Sequence, residues 1–270
     1  MNTELGEDSR FLARLRAGRP TFMLGIRQAR TTDICRVADS TGHHAILVDL
    51  EHSAMSLDVA TALCATAGDL GLTPFVRVPE REYGAVGRLL DGGAHGIVAP
   101  RIETAAQARA IARACRFAPR GQRSQLASVP QVGMRPTPAT VLNPILDRTT
   151  IVQILVETPA GIANADAIAE VDGVDMIAIG ANDLTAELGI PGQYDHPLVR
   201  DAVESVARAC RRHGVLLMLG GIADPALFSS LAAFGACPLH LTGMDTDLLY
   251  AAARTRVETI AAAHLEPATP

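Results

Sequence analysis

Tryptophan is absent from this 270-residue chain and aromatic residues make up only 3% of it. A core must therefore be filled by Ala, Val, Leu and Ile rather than by rings. The same scarcity, with a net charge of −5 and no basic run, argues against nucleic acid, which needs a cationic stripe and usually stacking aromatics. No apolar run of about 18 residues is available to span a membrane. The N-terminus, MNTELGEDSRFLARLRAGRP, is charged and carries no apolar signal segment. No CxxC pair occurs. The five cysteines (Cys35, Cys64, Cys115, Cys210, Cys237) are odd in number and scattered, which disfavours a disulfide framework or a structural zinc. They read as small buried hydrophobes, and a reduced cytosol is the compartment that fits.

What the chain has is hydrophobic residues, 48% of the total, arranged as eight apolar strand-like runs. These are 21–26, 45–49, 73–78, 95–100, 150–157, 174–180, 214–219 and 238–243. Amphipathic helical stretches fall between them, at about 32–41, 57–70, 83–92, 104–115, 161–171 and 197–213, with a last one at 245–264. Such alternation predicts parallel strands joined by crossover helices. Eight units in a chain of this length predict a closed (β/α)8 TIM barrel, one α/β domain over 1–270 with a short disordered tail at about 265–270. One stretch breaks the rhythm. Residues 119–146 are rich in Pro, Gly and Arg, and by their place between the fourth and fifth runs are expected over the catalytic face.

Several polar residues lie at or just after the C-terminal ends of these runs, the face where such barrels do chemistry. Glu157 and Asp183 come from adjacent strands. Two neighbouring carboxylates with open positions suit a hard divalent ion; alternatively Glu157 pairs with an arginine and Asp183 caps the following helix. In GANDL, Gly180, Ala181, Asn182 and Asp183 lead into that helix, whose free N–H groups form either an anion site or an ordinary N-cap. Asp49 and Glu51 project to one side of an extended segment, and His52 beside them is an adjustable base or a loop histidine with a structural partner. Arg77, between apolar neighbours, clamps an anion, steadies an oxyanion, or pairs with Asp49 or Glu51. The other seven histidines show no metal-ligand spacing, His240 on the eighth run being the least settled.

Taken together, DLEHS at 49–53, RV at 77–78, LLDGGA at 89–94, PRGQR at 119–123, VET at 156–158 and GANDLTAELG at 180–189 resemble the class II pyruvate aldolases of the HpcH/HpaI family. GIPGQYDHP at 189–197 also matches. The resemblance covers nearly the whole chain in order. It implies a metal-dependent enzyme cleaving 4-hydroxy-2-oxo acids to pyruvate and an aldehyde through a metal-bound enolate, with Mg2+ or Mn2+, or Co2+, as cofactor. It implies Glu157 and Asp183 as metal ligands, the Asn182 and Asp183 amides on the pyruvate carboxylate, and Arg77 on the keto oxygen. Gly180, Ala181 and Leu219 would complete the substrate site. His52, with Asp49, would be the base. Asp91 matches a position that reaches the neighbouring subunit's site in a homohexamer, a trimer of dimers with exchanged C-terminal helices. The expected partners are small molecules, with no nucleic acid and no membrane.

Two departures stand out. Leu155 replaces a Gln that often precedes the metal-binding Glu by two residues. Arg101 stands where an apolar residue is common, which suggests a second anionic group on the substrate or an interface ion pair. Rival readings keep the scaffold but change the reaction: a citrate-type condensation, an acyl-CoA lyase, an oxaloacetate decarboxylase, or a 2-oxo-acid binder without turnover. A phosphate-binding barrel would draw on LGG at 219–221 and TG at 242–243, which are weak signals.

Overall fold

The computed structural model describes residues 9–265. Eight strands form one sheet: β1 (Thr21–Ile26), β2 (Ala45–Asp49), β3 (Thr73–Arg77), β4 (Gly96–Ala99), β5 (Ile151–Val156), β6 (Met176–Gly180), β7 (Leu216–Gly220) and β8 (Leu239–Met244). All paired strands are parallel, in the order β7-β6-β5-β4-β3-β2-β1-β8. The seam between β7 and β8 is bridged where Cys237 N–H donates to the Leu217 carbonyl at 2.7 Å. The result is the expected (β/α)8 barrel.

Helices alternate with the strands. They are α1 (Arg10–Arg16), α2 (Asp33–Ser40), α3 (Leu57–Asp69), α4 (Val86–Asp91), α5 (Ala105–Cys115), α6 (Ala139–Thr149), α7 (Pro159–Ala163), α8 (Ala165–Ala169), α9 (Ala181–Glu187), α10 (Pro197–His213), α11 (Pro225–Ala232) and α12 (Asp245–Leu265). The single helix expected over 161–171 is two short ones joined at Asn164, which serves as the C-cap of one and the N-cap of the next. Helices α1, α6 and α11 were not anticipated. Apart from Leu265, the tail expected to be disordered lies outside the described residues.

Strands β2 to β7 are largely buried on both faces, as parallel barrel strands are, whereas β1 exposes Phe22 and β8 exposes Thr242. Their period of two divides the apolar residues into two layers. Met23, Leu47, Phe75, Val98, Leu155 and Met218 belong to the barrel interior, while Ile46, Val76, Ile97, Ile154, Ile177 and Leu219 pack outward against the helices. The Phe75 ring fits inside because its neighbour is Gly96: a Cβ there would lie 2.2 Å from Phe75 Cδ1. Helix α1 closes the N-terminal end of the barrel with Phe11, Leu12 and Leu15, and the Phe11 and Phe75 rings lie 5.1 Å apart.

The segment 119–146 does not cover the catalytic face. Gln131 Nε2 donates to the Leu90 and Ala94 carbonyls, Arg123 pairs with Asp91 at 2.8 Å, and Arg120 pairs with Asp172. Those partners lie at the C-terminal end of α4 and in the helix-to-strand turns, toward the N-terminal ends of the strands. The reason is topological. The segment follows α5 rather than β4, so it belongs to the return leg of its βα unit, and it buries a small core of Phe117, Val129, Val132, Leu142 and Leu146. At the other end of the chain, α12 leaves the barrel after contacting only β1 and β8 among the elements it meets repeatedly. It exposes Leu249, Tyr250 and Val257, each 67% accessible.

Candidate active site

Continuing the inward parity past each strand end yields a ring of polar groups at the barrel mouth. Met23 and Gly25 lead to Arg27, Ala45 and Leu47 to Asp49, Phe75 to Arg77, Leu155 to Glu157, and Ala178 to Gly180. Asp49 is fully buried and is the hub of one half of the ring. Its Oδ1 accepts from Arg77 Nε at 3.0 Å, and its Oδ2 from Arg77 Nη2 at 2.7 Å and Arg27 Nε at 3.2 Å. The backbone N–H groups of Glu51 and His52 also donate to Oδ1. Burial pushes the Asp49 carboxyl up, but the hydrogen bonds and charge of Arg77, with those from His52 N–H and Arg27, outweigh it and hold the group below its ordinary range.

Arg77 also lies 3.3 Å from Glu51 through Nε. Its Nη1 makes no hydrogen bond among the described residues. The ion pairs anticipated for Arg77 are therefore both present, with one donor group left over. The His52 ring is 55% exposed, with Nε2 3.7 Å from Glu51 Oε2. His52 meets the two carboxylates in different ways. Asp49 holds the His52 backbone, and the carboxylate facing the ring is Glu51.

Glu157 makes up the other half. It is 3% exposed, and its Oε1 accepts from the backbone N–H of Arg101 at 2.8 Å rather than from an arginine side chain. Arg101 is in the left-handed region, with φ 49°, a strained conformation that directs this N–H at the carboxylate. Oε2 is accommodated because residue 180 is glycine: a Cβ there would stand 2.5 Å from it. Burial, then the nearby negative charges of Asp183 and Glu51, push the Glu157 carboxyl up to about 7 against the Arg101 N–H and Arg77. A buried carboxylate with a free oxygen, raised by a second carboxylate, is relieved by a cation between the two. No set of three or more His, Cys, Asp or Glu converges among the described residues. The chemistry of these two carboxylates, oxygen donors with no cationic side chain bonded to Glu157 among the described residues, fits a hard divalent ion.

The other expected residues divide. Asp183 and Asn182 are exposed at the start of α9, whose N-cap, Gly180, offers no side chain to the first-turn amides. Ala181 is buried beneath them. The Asn182 side chain is turned aside, accepting from Tyr194 Oη at 2.6 Å. The Leu219 side chain packs in the sheet–helix layer, and Met218 occupies the inward position, where Gln153 Nε2 donates to its sulfur. Asp91 lies at the end of α4 on Arg123, away from this chain's own mouth. Leu155 forms an apolar floor beneath Gly180. The Arg101 guanidinium is held by Glu187 at 2.9 Å and Glu80 at 3.8 Å. His240 packs against Phe228, with ring centroids 4.2 Å apart and the planes tilted by 37°.

Two residues escaped the sequence reading. Arg27 was legible from its even spacing after Met23 and Gly25. Asp245, the first residue of α12, was not: its carboxylate accepts the N–H groups of Arg27, Gln28 and Ala29 at 2.7–3.1 Å, pinning the loop after β1 from 218 residues away.

The sequence profile described as HpcH/HpaI aldolase/citrate lyase matches residues 26–248. A 4-hydroxy-4-methyl-2-oxoglutarate aldolase of Hapsidospora irregularis is 41% identical, covering 76% of this chain and 77% of that protein. A 4-hydroxy-2-oxovalerate aldolase of Rhodococcus jostii is 34% identical, covering 84% and 86%. The crystal structure of an HpcH/HpaI aldolase from Desulfitobacterium hafniense superimposes with a TM-score of 0.87 at 28% identity, covering 98% of this chain and all of that one. With its site at the barrel mouth, the chain belongs to the HpcH/HpaI aldolase/citrate lyase family and is a carbon–carbon lyase of the aldolase type.

Proposed function

We propose that the protein cleaves a dicarboxylic 4-hydroxy-2-oxo acid, of the 4-hydroxy-4-methyl-2-oxoglutarate class, into pyruvate and a carbonyl compound, and catalyses the reverse aldol addition. The observation that carries this is the meeting of Glu157 and Asp183 with the free Nη1 of Arg77 and the uncapped start of α9. That combination suits the head of a 2-oxo acid: a carboxylate on the helix amides and a keto oxygen toward Arg77. The dicarboxylic class follows the name of the Hapsidospora relative.

Glu157 and Asp183 would hold a divalent ion, Mg2+, Mn2+ or Co2+. When bound, it supplies Lewis-acid polarisation of the 2-oxo acid. Arg77 stabilises negative charge on the keto oxygen, its guanidinium kept rigid by Asp49 and Glu51. His52 takes the proton of the 4-hydroxyl, its Nε2 lying 3.7 Å from Glu51 Oε2. The C3–C4 bond then breaks, its electron pair moves into the C2–C3 enolate, and a proton delivered to C3 completes pyruvate. Leu155 beneath the carboxylates keeps the floor apolar, which strengthens these charge interactions.

The exposed apolar face of α12 suits a second copy of the chain, in keeping with an oligomer in which Asp91 approaches a neighbour's mouth. The decisive experiment is pyruvate release from a panel of 4-hydroxy-2-oxo acids with Mg2+, Mn2+, Co2+ or EDTA. Release that needs the metal and disappears in Glu157→Gln supports the proposal. Equal release in EDTA overturns it.

A further inference from the structure

Three arginines stand at the mouth, and they differ in how fully they are engaged. Arg77 is gripped by Asp49 and Glu51. Arg101 lies between two carboxylates, Glu187 and Glu80, which more than offset its charge. Arg27 touches Asp49 alone, through Nε, and its two terminal amino groups have no hydrogen-bond partner among the described residues. Asp49 does not need it for neutralisation, because Arg77 already binds both of its oxygens.

The Arg27 side chain is 33% exposed, and its place just past the C-terminal end of β1, on Asp49, puts it at the mouth. The loop that carries it is fixed from both sides. Asp245 accepts the N–H groups of residues 27–29, and Arg30 Nη1 donates to their carbonyls. A rigid loop presenting an unengaged, planar pair of donors is a preorganised carboxylate receptor. Its direction is set by the barrel. In the strand order, β1 lies four places from β5, so Arg27 stands across the mouth from Glu157, whereas Arg101 follows β4 on the Glu157 side. A five-carbon 2-oxo acid with its head at Glu157 and Asp183 and its tail crossing the mouth would meet the β1 side, where Arg27 stands.

We infer that Arg27 is the specificity-determining residue that receives the distal carboxylate of a dicarboxylic substrate. This rests on the proposed 2-oxo-acid reading of the site and deepens it. The test is binding, not turnover. Manganese-loaded protein is titrated calorimetrically with 2-oxoglutarate and with 2-oxovalerate, which has the same five carbons without the distal carboxylate. Neither carries a 4-hydroxyl, so neither can be cleaved.

The expected result is a preference for 2-oxoglutarate of roughly tenfold or more, the effect of one charge-assisted hydrogen bond. Arg27→Gln should abolish that preference while leaving 2-oxovalerate affinity close to the wild-type value. The inference is overturned if the wild type shows no preference, if Arg27→Gln weakens both ligands equally, or if Arg101→Gln rather than Arg27→Gln removes the preference. Binding of neither ligand overturns it too. Failure of the aldolase reading looks different: no pyruvate is released from any panel member, yet the Arg27-dependent preference persists and supports the assignment.

Discussion

Replacing Gly180 by Ala probes the carboxylate pair with a single methyl group. The backbone tolerates it, since φ is −85° and ψ 92°. The new Cβ, however, would lie 2.5 Å from Glu157 Oε2, 3.1 Å from Glu157 Cβ and 3.4 Å from Leu155 Cδ1. The first distance is impossible, so the carboxylate must rotate. It cannot rotate freely, because Oε1 is bonded to Arg101 N–H at 2.8 Å and the residue is 3% exposed. Displacement therefore breaks a hydrogen bond to a charged acceptor, worth about 1.5–3 kcal/mol, or crowds the floor at a similar cost of about 1–3 kcal/mol. Affinity for a divalent ion should fall by about tenfold to hundredfold, the range for disturbed ligand orientation. Manganese titration followed by electron paramagnetic resonance, without substrate, reads this directly. Gly220→Ala is the control, since its Cβ would meet only the Ile179 carbonyl at an ordinary 3.4 Å. Wild-type manganese affinity in Gly180→Ala would refute the assignment of Glu157 Oε2 to the ion.

His52→Ala should lower aldol turnover by about a hundredfold or more while leaving manganese affinity unchanged, because its exposed ring lies against Glu51 and outside the carboxylate pair; full activity would remove His52 from the reaction. Asp245→Ala should free the N–H groups of residues 27–29, destabilising the fold by about 1–3 kcal/mol, and hydrogen exchange at those amides should accelerate selectively; unchanged protection there would contradict the pinning role. His95, before β4 and remote from the mouth, is pushed down by burial from an ordinary value of 6.5 to about 4. Below pH 6.5 the unfolded chain takes up a proton that the folded protein refuses. Stability is thus highest above 6.5, falls as pH drops toward 4, and loses nothing further from this group below that. Urea unfolding at pH 7 and pH 4.5 should show a loss smaller by about 1–2 kcal/mol in His95→Gln than in the wild type; equal losses would exclude His95 as the cause.

The sequence by itself determined the eight strands, the barrel and most of the mouth. A charged residue ending an apolar run needs a partner or a function, and Asp49, Arg77 and Glu157 each announce themselves in this way. Parity even made Arg27 readable, two steps beyond Gly25. Tertiary structure decided the rest. β7 is apolar on both faces, so LLML carries no alternation to say which way Leu219 points; the contact of Gln153 with Met218 does. The side on which 119–146 lies depends on whether it leaves a strand or a helix, a distinction hidden by its Pro- and Gly-rich composition. The hold of Asp245 on the loop after β1 joins the two ends of the chain, and closure of the barrel brings β8 beside β1. The raised carboxyl of Glu157 likewise has no local cause. It comes from burial and from Asp183 and Glu51, which only the closed ring of strands sets around it.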